Sequence, residues 1–274
     1  MDTTYLVKSA AELQNFLVRH PGEFDACLDQ LKLFSKHNFK ALHMESNPVI
    51  SELSKLSKAQ LEFIIREYSG FSNEAIHMLL DAMIRDHDWK KLYEEIQHNI
   101  DEEKGQETKG IPHLEMMRQG YKIELGIDTD NVQYSKVTSS FLKEMRRIFR
   151  HNDNAFSAGA LLAFEGSAIA EFHILDAIVK EFRKKKGIED ENTGRSSLTK
   201  SYIEGHKDFE IGHEAHLVES IRQYIDRENI NKMVRGYFAV CTTMNTWWEQ
   251  LYLQSFQHIF SGLGDFVATD PELG

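Results

Sequence analysis

Apolar residues recur along most of this chain at steps of three and four, the spacing of one helix face. Ser9 and Glu12 form a capping box ahead of Leu13, Phe16 and Leu17. Pro21 and Gly22 break that run. A second helix is expected from near Glu23, carrying Phe24, Cys27, Leu28, Leu31 and Phe34, and Asn47-Pro48 ends its extension. Ser57 and Gln60 make another capping box before Leu61, Ile64, Ile65 and Tyr68. Gly70 and Ser72 predict a break. The pattern resumes through Met78, Leu79 and Met83, and again from Trp89 through Tyr93, Ile96 and Ile100.

Residues 105–112 are polar and predict a loop, followed by a short helix to about Lys122 and a second loop at 126–131. Phe141, Met145, Ile148 and Phe149 mark a helix ending near His151. A long helix is expected over 154–186, with small residues in its first half. Residues 187–197, charged and Gly-containing, predict another loop. Two more long helices are expected at about 198–226 and 229–260, and the Gly- and Asp-rich residues from Ser261 predict a loop tail. No stretch alternates with a period of two, and no internal repeat is visible. The fold class expected is therefore all-α, a bundle of seven to ten helices. It forms one domain over 1–274, with its core at about 25–260.

Composition narrows the function. Only 4 Pro and 16 Gly in 274 residues suit long helices. A formal net charge of −11 disfavours nucleic acid and anionic membrane as partners. The Arg183–Lys186 run is a solvated helix end, favourable to the dipole. No run approaches the roughly 18 apolar residues of a membrane span. The first residues lack the basic-then-apolar order of a signal peptide. Cys27 and Cys241, far apart, read as buried apolar residues in a reducing cytoplasm.

The candidate chemistry lies in six residues. His206, Glu210 and His213 share a helix face, and two imidazoles with a carboxylate form half of a metal site. Glu165 falls in the apolar stripe of Ala158, Leu161, Leu162, Ala168, Ile169 and Phe172. A carboxylate buried alone costs several kcal/mol, so it needs a partner, either a metal or a buried Arg or Lys. Glu171, about 120° around the helix from that stripe, is assigned to an outer layer or the surface. Glu102 and Glu103 oppose the dipole at a helix C-terminus, where a cation would relieve them. His113 opens the next helix. Glu103, His113, Glu165, His206, Glu210 and His213 together offer three carboxylates and three imidazoles, a set that suits iron or manganese, and two ions rather than one.

The order Glu, His, Glu, His-x3-Glu-x2-His over an all-α chain resembles the haem-oxygenase-like diiron oxidases and oxygenases, and within them the CADD-like proteins of Chlamydia and cyanobacteria. The resemblance covers roughly residues 25–260. The Asn99–Gly105 segment with His113 looks like the family's first ligand segment, Phe164-Glu165 like its second, and His206, Glu210 and His213 like its closing triplet. The last helix, with Gly236, Trp247, Trp248 and Tyr252, is similar to the family's aromatic C-terminal helix. The resemblance implies a haem-oxygenase-like bundle of the TenA/PqqC type, two Fe(II) ions and O2 as co-substrate. It further implies a peroxo-diferric species that oxidises an amine, amino acid or fatty acid. Tyr202 matches a family tyrosine on the metal-facing side and is the expected catalytic residue. The positions of the CADD-like Tyr and Lys hold Phe164 and Leu175, which argues against the self-consuming route to p-aminobenzoate. The third carboxylate is Glu210, where CADD-like members commonly have Asp. The expected partner is a small-molecule substrate, with a homodimer left open.

Other readings use the same scaffold. A TenA-like thiaminase needs a catalytic Cys, and neither Cys27 nor Cys241 sits in such a motif. A haem oxygenase needs an N-terminal axial His, for which His20, His37 and His43 are available. It leaves the downstream ligands unexplained. A non-enzymatic interaction protein would carry no metal.

Overall fold

Local signals set most helix starts. Ser9 caps α1 (Ala10–Arg19): its hydroxyl accepts from the Glu12 N–H while Glu12 accepts from the Ser9 N–H. The same reciprocal pair joins Ser57 and Gln60 ahead of α4 (Lys58–Arg85). Between them lie α2 (Phe24–Asn38) and the single turn α3 (Pro48–Ser51), the latter capped by Asn47. Then come α5 (Lys90–Glu103), α6 (His113–Gly120) and α7 (Lys136–Phe149). The long helices α8 (Asn154–Lys186), α9 (Leu198–Arg222) and α10 (Ile230–Val267) complete the chain. The structure, a computed structural model, describes residues 9–20, 23–85, 88–188 and 197–267. Among these every regular element is helical, so the chain is an all-α bundle. Most of the charged loop expected at 187–197 lies outside the described residues.

Three expectations change. The break at Gly70 does not occur, and α4 runs straight through it. A Cβ there would stand 2.9 Å from the Tyr134 ring, so the glycine serves close packing rather than a turn. The helix α10 continues to Val267, through residues whose Gly and Asp content predicts a loop. And α8 is long and apolar enough to cross a membrane, with a mean hydropathy of 1.3 over its best window. That window is mostly buried within the bundle.

The middle of the bundle is α8, packed on α10, α9 and α4, and α10 packs in turn on α7 and α4. Two glycines allow the closest crossing. A side chain at Gly159 of α8 would overlap the Met233 carbonyl of α10, and one at Gly236 of α10 would overlap the Phe156 carbonyl of α8. Backbone contact on both sides pins the two helices in register. Aromatic residues fill the space above: Trp247 stacks on Phe141 at 4.3 Å, and Phe71 meets Phe164 edge-on at 5.8 Å. Phe71 and Phe164 also line the cavity described next.

Candidate metal centre

The turn after α5 brings the first two candidates together. Gly105 adopts a positive φ of 98°, which ends the helix, and its N–H donates to the Glu102 carbonyl at 2.8 Å. A Cβ at Gly105 would strike the Ile111 main chain, so the loop can fold back only around glycine. Pro112 then starts α6 with His113 as its first residue. His113 Nδ1 consequently lies 3.5 Å from Glu103 Oε1.

Helix α9 supplies the third. His206 Nδ1 sits 2.7 Å from the Tyr202 carbonyl, one turn earlier. A carbonyl only accepts, so Nδ1 carries a proton and Nε2 is the nitrogen turned toward the cluster. That Nε2 lies 3.3 Å from Glu103 Oε1. Ligand atoms of Glu103, His113 and His206 all fall within 4.8 Å of one another. The two imidazoles meet edge to face at 4.5 Å, and Phe172 stacks on His206 at 4.3 Å, fixing the ring. Burial raises the Glu103 carboxyl, but hydrogen bonds and charge from His113 and His206 outweigh it and hold the group well below the usual carboxylate range. It is therefore ionised, next to two nitrogens able to ligate.

Glu103 and His206 line a cavity of about 70 Å³ together with Glu165, Glu171, Tyr202 and His213. That is room for several water-sized occupants. Glu165 is buried, and the Asn99 amide donates to its Oε1 at 3.4 Å. The lining contains three carboxyls and two imidazoles, and among the described residues no Lys or Arg. Tyr202 is buried, and its hydroxyl donates to Ser72 Oγ at 3.1 Å. Phe71, Leu79, Phe164 and Met244 keep the rest of the wall dry.

Glu102 and Glu103 both find histidines, on different sides. Glu102 Oε2 contacts His213 Nε2, and its Oε1 lies 3.4 Å from His98 Nε2. The ambiguity in the sequence between these neighbours therefore has a structural counterpart: Glu103 groups with His113 and His206, and Glu102 holds His213 at the edge of the cavity. The Glu210 side chain lies outside the described residues, though its backbone continues α9.

Glu171 corrects the assignment made from periodicity. It is not on the surface, one of the two places assigned to it, but 2 % exposed and part of the cavity wall, outside the Glu103, His113 and His206 group. Both of its oxygens accept from the Trp248 indole N–H, at 2.8 and 2.9 Å. Burial pushes its carboxyl up to about 8, against a smaller lowering by that hydrogen bond. Centring the helix face on Ala168 would have found it, because Glu165 and Glu171 flank Ala168 three residues to either side. The Trp248 partner, 77 residues away, left no local signal.

No curated protein matches this chain. Among solved structures it is similar to a CADD-like protein of unknown function from Nostoc punctiforme PCC 73102. One crystal structure of that protein, at 2.00 Å resolution, shows 27% identity and a TM-score of 0.77, covering 85% of this chain and 98% of that one. A second, at 1.35 Å, shows 26% identity and a TM-score of 0.76, covering 86% and 97%. A family model described as a domain of unknown function with a solved structure matches residues 25–254. With that match spanning most of its length, the chain belongs to this family, DUF3865.

Proposed function

We propose that the protein is a non-haem diiron oxidase or oxygenase that uses O2 to oxidise a small metabolite, with an amine, an amino acid or a fatty acid as the candidate substrate classes. One observation carries this reading. Three carboxyls and two imidazoles surround a buried cavity whose described wall holds no cationic side chain. Buried carboxyls in a low-dielectric space must keep a proton or take a counter-ion, and oxygen-plus-imidazole donors suit iron or manganese. The donors fit such an ion: Glu103, His113 and His206 converge on one position, with Glu165, His213 and the expected Glu210 as the second group. Two Fe(II) ions held there, with Mn as the other candidate, would supply the electrons that reduce O2.

The chain's own residues would do the rest. His206 is held in the ligating tautomer by the Tyr202 carbonyl. Phe71, Phe164, Phe172 and Met244 exclude water and confine a substrate to the remaining space. Tyr202 presents its hydroxyl in this wall, anchored on Ser72. Glu171 retains a proton on its carboxyl near neutral pH. It is thus an acid of the wall able to donate there.

Metal content after anaerobic Fe(II) loading tests the reading. About two irons per chain are expected. The His206→Ala and Glu165→Ala variants should lose stoichiometric iron with helix content unchanged by circular dichroism. Full metal occupancy in either variant, or no uptake by the parent chain, refutes the ligand set.

A further inference from the structure

A second cavity, of about 190 Å³, borders another strip of α8 and has no part in the proposed oxidation. Ala163, Gly166, Ser167 and Ala170 form its floor, small residues at steps of three and four. Ser167 is the one wall residue shared with the metal cavity. In the opposite walls Ser35 and Tyr237 are buried, and His43, Cys241 and the apolar Leu42 join them. Lys32 Nζ and Glu214 Oε1, 2.7 Å apart, stand at the mouth, with 45% and 25% of their side chains exposed.

Behind that pair the lining is uncharged. Burial pushes the Cys241 thiol up to about 12 and the Tyr237 hydroxyl well above its ordinary value. Burial likewise lowers His43, which stays neutral. The His43 ring hydrogen-bonds the Ser35 main chain, and its Nε2 is buried with no partner. A close-packed interior does not leave a void lined by polar groups and a bare acceptor without an occupant. Gly166 adds a constraint of its own. A Cβ there would stand 3.1 Å from Glu214 Oε1, so its absence lets the carboxylate rest on the helix.

We propose that this cavity is a binding site for a small zwitterion bearing one ammonium and one carboxylate group. Lys32 takes the carboxylate and Glu214 the ammonium, each exchanging its present partner for the ligand's matching charge. The ligand's tail enters the neutral interior, where His43 Nε2 accepts a hydrogen bond and the Ser35 and Tyr237 hydroxyls complete the set. The site does not depend on the metal reading.

L-Glutamine is the probe, because its side-chain amide offers an N–H to His43 and a carbonyl to the hydroxyls. Isothermal titration of the metal-free, full-length chain should show one molecule bound, with acetate and methylammonium each far weaker. Lys32→Met and Glu214→Gln, both at the exposed mouth, should each weaken binding by about tenfold or more. His206→Ala should bind as the parent does, which separates this site from the metal cavity. Unchanged affinity in both mouth variants, acetate binding as tightly as glutamine, or no heat from glutamine and the other common L-amino acids would each overturn the proposal and leave a water-filled pocket.

Discussion

Replacing Glu171 by Gln should make the metal-free protein more stable at neutral pH, and the gain should depend on pH. Folding raises this carboxyl from an ordinary 4.5 to about 8, mainly because burial penalises its charge. The folded state thus binds the proton more tightly than the unfolded chain. Its contribution to stability is fully present below the unfolded value and is lost as pH rises toward the folded one. At pH 7 the unfolded chain has gained about two and a half units of ionisation, at ~1.4 kcal/mol each, which the folded chain has not. The wild-type carboxyl therefore costs about 3 kcal/mol at pH 7 relative to pH 4.5. Glutamine keeps the side-chain length and an oxygen for the Trp248 N–H, but does not titrate. Urea unfolding of both proteins, with chelator present, gives the difference directly. It should grow in favour of the variant by about 1.4 kcal/mol per unit through the neutral range and level off above pH 8. Titrations common to both proteins, such as that of Glu103, cancel in this comparison. A flat difference between pH 5 and 8 would show that Glu171 folds as a carboxylate, and the assignment of the wall's proton to it would fail.

Four other substitutions test neighbouring parts. Trp248→Phe removes the donor shared by both Glu171 oxygens, costing about 1–3 kcal/mol; the pH at which the Glu171 difference levels off should move higher, since that bond is what lowers the carboxyl. Gly236→Ala sets a methyl against the Phe156 carbonyl and should destabilise by about 1–3 kcal/mol, read as a lower unfolding temperature; no change would mean that α8 and α10 separate easily. Glu103→Ala should abolish tight iron uptake, whereas Glu102→Ala, which removes only the residue holding His213, should weaken it about 10–100-fold. Iron titration checks both, and the reverse ranking would exchange the two roles.

Helix periodicity was enough to identify the bundle and to put His206 and His213 on the cavity side of α9, because those signals are local. The capping boxes at Ser9 and Ser57 marked helix starts for the same reason. Gly70 misled because a helical glycine can answer to a neighbour as well as to a turn, and Tyr134, 64 positions later, gives no warning in the local pattern. The apolar stripe exposed Glu165 and hid Glu171. A stripe drawn through the largest side chains centres on Leu161 and Leu162, whereas the cavity lies over Ser167 and Ala168, where the residues are small. Voids are bounded by small residues and are invisible to hydrophobicity alone. The second cavity escaped for the same reason: Ala163, Gly166, Ser167 and Ala170 look like helix filler until α2 and α10 are packed above them.

The two acids of α8 also bear on which class of protein this is. A helix apolar enough to span a membrane carries Glu165 and Glu171 in its buried middle, where each ionised carboxylate would cost several kcal/mol. One of them can escape by keeping its proton, as Glu171 does. Glu103 cannot, because His113 and His206 hold it ionised. An inert helical scaffold would be more stable with leucine or methionine at such positions. A bound divalent cation reverses that balance, and its binding free energy adds to the stability of the fold. The metal reading therefore requires that Fe(II) or Mn(II) raise the unfolding temperature of the parent chain, and raise that of Glu103→Ala much less. A parent chain indifferent to both ions would leave the interaction-protein reading standing, with the acidic cavity as a cost to its stability.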